Sequence, residues 1–359
     1  MQMNHTDNSL MAWPHQVPSP AMHTLADAHF IRGLEWGPPE WWQQWQRQRL
    51  AQMLHWLDAM PWWLGWVGAK VGPDSHTEAL AGLPLMRRED YRALNEAHEP
   101  VVPAEHGKLT MESTSGSSGV SVKFWRSEMT LRINANHYWA DHQRQGRDLT
   151  QRMAAISGYA AFNEGPHRQE AGEPWLQPGM QLVRAISQFS TEDHALWLCS
   201  HPFTYLATRP DVLSDILSTI NMLNLAAPRL TQILTYAQTV DAALRKRTRE
   251  AFGASIRDRY ACEEVGPIAF QCPESDDFYH CAVGNVVVEV VDAQGLPVTD
   301  GAQGNVLVTG LHQWASPAVR YELGDLANWH ACCPACGVSV PALSHLLGGK
   351  RPEFVGLQP

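Results

Sequence analysis

The chain has 359 residues, of which 44% are hydrophobic and 18% charged, so it can bury a large core and exceeds one minimal domain. Its formal net charge is −10, and no run of Lys and Arg offers a basic surface for nucleic acid. No segment is apolar for long enough to cross a membrane, and the N-terminal residues lack the basic region and apolar stretch of a secretory signal, so we expect a cytoplasmic protein without a membrane span. Seven cysteines, an odd number, predict reduced thiols or metal ligands.

Residues 1–100 are predicted to form an N-terminal arm and a helical region. The first twenty or so residues are polar and contain proline, which is typical of a loose arm. Residues 39–67 hold seven of the fifteen tryptophans, with apolar residues at helical spacing as far as Pro61. We interpret this Trp-rich stripe as a helix packed on its own domain, the commoner use of such spacing, instead of a membrane or partner face. RREDYRALNEA, at 87–97, predicts a second helix.

Residues 101–270 are predicted to form α/β nucleotide-binding subdomains. LTMES and VSVKFW alternate like strands on either side of a small-residue loop. Residues 128–150 and 209–253 are predicted to be helical, with RMAAISG and HALWLCS as short strands between them. Such alternation indicates α/β layers. Two Val-rich strands and AVRYELGD then predict a smaller β-rich subdomain over 271–350.

A hydroxyl-rich loop, Ser113-Thr114-Ser115-Gly116-Ser117-Ser118-Gly119, lies between the first two predicted strands. Taken alone, it is equally typical of a flexible linker. In this position its N–H groups and hydroxyls can converge on phosphate oxygens, and Lys123 follows at a reach suited to an anion. The Walker A spacing and its helix are missing, so this is not a P-loop of that kind.

Two further segments carry carboxylates. Tyr260-Ala261-Cys262-Glu263-Glu264-Val265-Gly266-Pro267 is usually only a solvated turn, but beside a triphosphate a carboxylate can hold Mg²⁺ and an aromatic ring can stack on a base. Arg320-Tyr321-Glu322-Leu323-Gly324-Asp325 places an aspartate after a strand and a glycine, where it can accept hydrogen bonds from ribose hydroxyls.

In this order, the three segments resemble the core motifs of the adenylate-forming superfamily, which contains acyl-CoA synthetases, luciferases and peptide-synthetase adenylation domains. STSGSSG resembles its phosphate loop, YACEEVG its Tyr-Gly-x-Thr-Glu segment and RYELGD its Tyr-x-x-Gly-Asp segment. Residues 260–347 most resemble the phenylacetate–CoA ligase and CapK-like branch, which includes coenzyme F390 synthetase-like proteins. The resemblance covers about 80–352 and implies an α/β fold of layered sheets with a small distorted β-barrel subdomain.

The resemblance implies ATP-dependent activation of a carboxylic acid as an acyl-adenylate, with release of pyrophosphate and transfer to CoA or a carrier protein. It makes Glu264, as the Mg²⁺ ligand, and Lys123 the catalytic residues. Tyr260 would lie against adenine and Asp325 would bind ribose. The residues implied to bind the nucleotide are Ser115, Gly116, Ser117, Ser118, Gly119, Tyr236, Ala237, Tyr260, Ala261, Glu263, Arg320 and Asp325.

Some positions depart from the family pattern or are placed by the resemblance alone. Ala261 replaces a Gly, and Glu263 stands where Thr is common, so a second carboxylate adds repulsion unless a cation or proton offsets it. The pocket for the acid is expected to draw on residues 200–240, with Tyr205, Tyr236 and Ala237 as candidates.

A C-x-x-C pair, Cys333 and Cys336, can place two thiolates on one tetrahedral ion. Cys272 and His280 would complete a Cys₃His set, similar to the arrangement in the related ligase branch, and imply a structural zinc that fastens the β-rich subdomain to the Glu264 segment. Unrelated buried thiols or a redox pair are the alternative. Cys332 is an alternative ligand to its neighbour Cys333.

The sequence ends eight residues after Arg351, where the resemblance places the hinge to a C-terminal lid domain. We therefore expect 351–359 to be a hinge remnant without the lid, through truncation, a borrowed lid or loss of full catalysis. The leading hypothesis is an acid–AMP ligase core, which could act as a homodimer. The alternative is a catalytically degenerate ATP-binding regulatory or partner-binding module. The departures at Ala261 and Glu263 favour it, as does Val338, which stands where this branch often shows Arg. An unrelated zinc protein would leave the ordered motifs unexplained.

Overall fold

A computed structural model describes residues 20–68, 77–113, 122–158, 172–174 and 180–348. The predicted arm, most of the hydroxyl-rich loop and the predicted hinge remnant lie outside these residues. The helices are α1 (Pro20–Trp36), α2 (Pro39–Leu57), α3 (Pro61–Val67), α4 (Arg88–Ala97), α5 (Glu128–Arg144), α6 (Thr191–Ser200), α7 (Pro210–Met222) and α8 (Ala242–Phe252). The strands are β1 (Leu109–Ser113), β2 (Lys123–Ser127), β3 (Met153–Ser157), β4 (Gly172–Pro174), β5 (Met180–Ala185), β6 (Tyr205–Ala207), β7 (Gln232–Tyr236), β8 (Ser255–Cys262), β9 (Gly266–Gln271), β10 (Phe278–Cys281), β11 (Val286–Val291), β12 (Gln303–Gly310), β13 (Tyr321–His330) and β14 (Ala342–Leu347).

One sheet of twelve strands organises the described residues, in the order β11-β12-β13-β14-β10-β9-β8-β7-β6-β3-β5-β4. Strands β5, β3, β6, β7 and β8 are parallel neighbours, whereas the pairs from β8 to β11 are antiparallel. The predicted β-rich section therefore continues the same sheet as the α/β section. Strands β1 and β2 pair separately, with Ser113 opposite Lys123.

Helices cover both faces of the parallel strands, as such buried strands require. On one face, apolar residues of α6, α7 and α8 pack on Ile156, Leu206, Ile233 and Ile256. On the other, Trp139 of α5 packs on Met153, Tyr205 and Leu234. We call these the α8 face and the α5 face. The carboxyl ends of β3, β6, β7 and β8 meet at one edge between the two helical layers.

The Trp-rich stripe packs on its own chain, as predicted. Helix α2 begins at Pro39, whose fixed φ suits a first helical turn, and its buried residues join Leu80, Val287 and Leu311. Trp45 Nε1 donates to the carbonyl of Gly284 at 3.2 Å. The helix is thus tied to the antiparallel half of the sheet. No helix among the described residues has the length and apolar character needed to cross a membrane.

Two sequence-based expectations were wrong. HALWLCS, predicted as a strand, lies in α6, because Ser190 and Asp193 form a capping box that starts a helix just before it. The helical interpretation of 209–253 overlooked β7: helix α7 ends at Met222, and QILTY runs through the sheet with Ile233, Leu234 and Thr235 buried. Short apolar runs do not by themselves distinguish a strand from a helix.

Candidate nucleotide site and Cys/His cluster

A cavity of about 580 Å³ opens where β7 and β8 end. Its walls come from the segment after β7, the first turns of α8, the end of β8, residues 276–279 and the end of β14. An open crevice at the carboxyl ends of parallel strands is the usual position for a ligand in an α/β sheet. This cavity is therefore the candidate ligand site of the fold.

The cavity brings together four of the residues predicted to bind a nucleotide: Ala237, Tyr260, Ala261 and Asp325. The hydroxyl of Tyr260 donates to Asp325 Oδ2 at 2.6 Å, although the two residues are 65 positions apart. Burial and the Asp325 charge raise the pKa of Tyr260 well above its usual value, so its hydroxyl keeps its proton and donates. The aromatic ring and the carboxylate are thus held together in one wall.

The backbone at the cavity wall is locally strained. Ala237, directly after β7, has φ of 69°, and His345 has φ of 49°. L-residues other than glycine, Asn and Asp seldom adopt this left-handed region, and strain of this kind is often found at ligand sites. Both residues line the cavity, so the strain coincides with the candidate site.

A buried carboxyl group, Asp258, also lines the cavity and was not predicted. Thr235 Oγ1 donates to it at 2.6 Å and the Tyr279 hydroxyl at 3.0 Å. Burial raises its pKa to about 6, against the opposing effect of these hydrogen bonds. Its position two residues before Tyr260, on the same side of a strand, was the one available signal.

Glu264 is buried and does not line the cavity. Its Oε1 accepts a hydrogen bond from the Tyr321 hydroxyl at 2.9 Å and pairs with Arg88 Nη1 at 3.3 Å. Arg88 was not predicted, because one arginine at the start of α4 carries no pattern that marks it. The predicted magnesium ligand is therefore held by a guanidinium and a phenol.

The second carboxylate of this segment, Glu263, has its own counterion. Arg126 Nη2 lies 3.2 Å from Glu263 Oε2, and Arg126 also pairs with Glu112 at 2.8 Å. The same guanidinium donates to the Glu263 carbonyl. The repulsion expected from adjacent carboxylates is thus offset by a positively charged side chain on β2.

Two other candidates lie elsewhere. Arg320 is 3% exposed, pairs with Glu289 at 3.2 Å and donates to the carbonyls of Leu83 and Gly295, so it ties loops to the sheet and does not line the cavity. Tyr205 is a core residue whose hydroxyl accepts from the Asp148 N–H at 2.9 Å. We therefore assign neither Arg320 nor Tyr205 to the proposed site, because the side chain of each is held by local contacts.

The remaining candidates flank the cavity or fall outside the described residues. Tyr236, at the end of β7, is half-buried and does not line the cavity. Lys123 is exposed at the start of β2. The predicted phosphate-loop residues Ser115, Gly116, Ser117, Ser118 and Gly119 lie outside the described residues. Their roles stay predictions.

The four predicted metal ligands do come together. The ligand atoms of Cys272, His280, Cys333 and Cys336 all lie within 4.8 Å of one another, and Cys336 Sγ is 3.3 Å from His280 Nε2. Cys333 is buried and Cys332 exposed, so the geometry selects Cys333. Burial lowers the pKa of His280 to about 3, which leaves the neutral ring that metal binding requires.

Comparisons with known proteins agree with this fold. No protein-family model matches the chain. A segment of 89 residues is 34% identical to phenylacetate-coenzyme A ligase of Escherichia coli (strain K12), and it spans 24% of this chain but only 20% of that relative. The chain thus matches about a fifth of the length of its curated relative.

Solved structures match over most of the chain. 2-Hydroxyisobutyryl-CoA ligase, in an open conformation in complex with 2-HIB-AMP and CoA, superposes with a TM-score of 0.75 at 20% identity, over 89% of this chain and 77% of that one. The same ligase in the postadenylation state, in complex with 2-HIB-AMP, gives a TM-score of 0.74 at 19% identity, over 88% and 70%. The chain therefore has the fold of the adenylate-forming acyl-CoA ligases, as the sequence motifs predicted.

Proposed function

We propose that this chain is the nucleotide-binding core of an acid–AMP ligase. The proposal rests on the hydrogen bond between Tyr260 and Asp325 in the wall of one cavity. Ala237 and Ala261 line the same cavity. Tyr260 and Asp325 were singled out from separate motifs, and the fold brings them to one place. The ring of Tyr260 offers a face for adenine, and the Asp325 carboxylate can accept from ribose hydroxyls.

The reaction follows from binding and positioning. A carboxylate oxygen of the acid attacks the α-phosphorus of ATP, and the bond from that phosphorus to pyrophosphate breaks, giving acyl-AMP. No side-chain nucleophile is needed, because orientation and charge neutralisation lower the barrier. In a second step an acceptor thiol, of CoA or a carrier protein, bonds to the acyl carbon and AMP leaves.

Magnesium would be held by Glu264. The residues fit this role in that Glu264 is a buried carboxylate whose present partner, Arg88, is a positive charge that a cation can replace. Mg²⁺ would neutralise the phosphates. We expect Glu264→Gln to weaken binding of ATP with Mg²⁺ by about tenfold or more and to leave AMP affinity unchanged, as measured by calorimetry; equal losses for both ligands would contradict this role.

Zinc is the metal that the Cys/His cluster fits. Three thiols and one imidazole are soft to borderline ligands, and four protein ligands complete a closed tetrahedral site of the structural kind. The ligands come from the end of β9, from β10 and from the turn after β13. Cys272, His280, Cys333 and Cys336 would then lock these segments together, which favours a supporting role for zinc.

The test of the whole proposal is acid-dependent exchange of pyrophosphate into ATP, with a panel of alkyl and aryl acids. We expect exchange with at least one class of acid and its loss in Asp325→Ala. If ATP binds but no acid supports exchange, the chain is an ATP-binding regulatory module instead. We further propose that the protein acts in the cytoplasm, where cysteine thiols stay reduced. We also propose a homodimer, which sedimentation would test.

A further inference from the structure

A buried network of charges ends at Arg259, a residue at the sheet edge that is also part of the cavity wall. Arg259, the residue before Tyr260, donates from Nε at 3.0 Å and from Nη2 at 2.9 Å to Asp141 Oδ2 on α5. Asp141 is 2% exposed and also pairs with Arg147 at 2.9 Å and Arg144 at 3.3 Å. Arg144 in turn pairs with Glu35 of α1.

This network carries more positive than negative charge. Three guanidinium groups meet two carboxylates, those of Asp141 and Glu35. Burial acts to raise the pKa of Asp141, but the surrounding guanidinium groups hold this pKa well below its usual range. The Asp141 carboxylate is therefore negatively charged in this charge balance. Burial holds the pKa of the neighbouring His142 well below its usual value. Among the described residues, these ion pairs hold one more positive than negative charge, and an excess charge in a largely dry region favours binding of an anion.

Among the three arginines of this network, Arg259 is the one whose side chain reaches the surface. Its side chain is 15% exposed, whereas those of Arg144 and Arg147 are fully buried. The Arg259 guanidinium stacks on the ring of Tyr138 with its Cζ 4.9 Å from the ring centroid. Nε and Nη2 are used by Asp141, and Nη1 donates to no residue in the described part of the chain. Arg259 is thus fixed in place with donors to spare.

Although Arg259 is part of the cavity wall, its side chain contacts Asp141 of α5, on the side of the sheet opposite to the candidate nucleotide residues. Side chains alternate along a strand, so Asp258 and Tyr260 point to one face and Arg259 to the other, where it meets α5. Its partner in the β7–β8 register is Tyr236, which hydrogen-bonds to Ser157 at the end of β3. The carboxyl edge of the sheet therefore carries three polar side chains on the α5 face, those of Ser157, Tyr236 and Arg259.

We propose that Arg259 selects the acid substrate by binding a second, negatively charged group on it, so that the preferred substrate is a dicarboxylic acid. This inference rests on the proposed function, since it assigns the nucleotide to the α8 face of the edge and the acid to the α5 face. Asp141 is a positioning residue that fixes the guanidinium plane. A planar guanidinium with free donors matches a carboxylate in geometry as well as in charge.

The experiment measures binding of non-hydrolysable acyl sulfamoyl adenosines, so it does not depend on turnover. Malonyl, succinyl and glutaryl analogues are each compared with an isostere in which isopropyl replaces the terminal carboxylate, and AMP serves as the nucleotide probe. We expect the wild type to bind at least one carboxylate analogue about tenfold or more tightly than its isostere. Arg259→Gln should abolish that preference and leave AMP affinity unchanged, while Arg259→Lys should restore part of it.

The matched control is Arg132→Gln, an exposed arginine on α5, which should keep the full preference. Circular dichroism and thermal unfolding of each variant exclude a folding defect as the cause. A wild type without preference for the charged analogues, or a preference that survives Arg259→Gln, overturns the inference. A loss of AMP affinity in Arg259→Gln overturns it too, because the residue would then serve the phosphate. Failure of AMP to bind the wild type contradicts the proposed function itself.

Discussion

At the scale of single residues, the cavity wall contains a carboxyl group whose environment favours its protonated form. Asp258 is buried among Thr235 and Tyr279, and its pKa is raised to about 6. Because the folded state binds this proton more tightly than the unfolded state does, the contribution to stability is full below the unfolded pKa and is lost as pH rises through about 6.

This gives a pH-dependent prediction. Between pH 5 and pH 7.5 the free energy of unfolding of the wild type should fall, relative to Asp258→Asn, by about 1 to 1.5 kcal/mol. The asparagine variant cannot titrate, so the difference isolates this group. Urea unfolding at both pH values measures it. A difference that stays constant with pH, or that grows in the opposite direction, would show that Asp258 is ionised in the folded protein.

The residue scale also shows what one sequence can and cannot reveal. Tyr260, Asp325 and the cysteines were found because each belongs to a segment with a recognisable order of residue types. Arg88 and Arg259 were missed, since a lone arginine in a helix or strand has no local signature and its partners come from distant parts of the chain. The choice between Cys332 and Cys333 needed the structure, because neighbours differ in burial and not in chemistry.

At the scale of elements, the Cys/His cluster joins the end of β9, strand β10 and the turn after β13. We expect Cys336→Ser to lose the bound zinc, about one ion per chain in the wild type, and to lower the free energy of unfolding by a few kcal/mol. Elemental analysis and thermal unfolding provide the two readouts. A wild type purified without metal would end the zinc proposal.

Cys332→Ser is the matched control for this experiment. Cys332 is exposed and adjacent to a ligand in sequence, so its replacement should leave both zinc content and stability unchanged. Zinc loss in this variant would instead assign the ligand to Cys332.

Helix α2 is coupled to the sheet by one buried amide. Gln46 Nε2 donates to the carbonyls of Val283 at 3.1 Å and Val286 at 2.8 Å, nearly 240 residues away. Gln46→Ala leaves both carbonyls without this donor, so the free energy of unfolding should fall by about 1–3 kcal/mol. Gln44→Ala, at an exposed position of the same helix, should change it by less than about 0.5 kcal/mol. Equal effects of the two substitutions in urea unfolding would contradict this coupling.

Elements with a strong local pattern were predicted well. The helical spacing of Leu50, Met53, Leu54 and Leu57 predicted α2, and the Val-rich runs predicted β11 and β12. HALWLCS and QILTY were misread because each is a short apolar run whose structure depends on its neighbours: a capping box decides the first, and a place inside the parallel sheet decides the second.

At the scale of the whole molecule, one sheet combines a parallel half, which ends at the candidate nucleotide site, with an antiparallel half that carries the Cys/His cluster. Strands β8 and β9 form the junction between the halves, and the segment from Tyr260 to Glu264 lies across it. The order of motifs along the sequence predicted the fold. It could not predict the cavity volume or the charge excess at Arg259, which arise from contacts between distant elements.

The central claim is that the cavity beside Tyr260 and Asp325 binds a nucleotide. Isothermal titration of AMP into the wild type and into Asp325→Ala tests it most directly, since AMP needs neither magnesium nor an acid. We predict saturable binding at one site in the wild type and a loss of affinity of about tenfold or more in the variant. Absence of saturable binding in the wild type, or equal affinity in both proteins, would contradict nucleotide binding in this cavity.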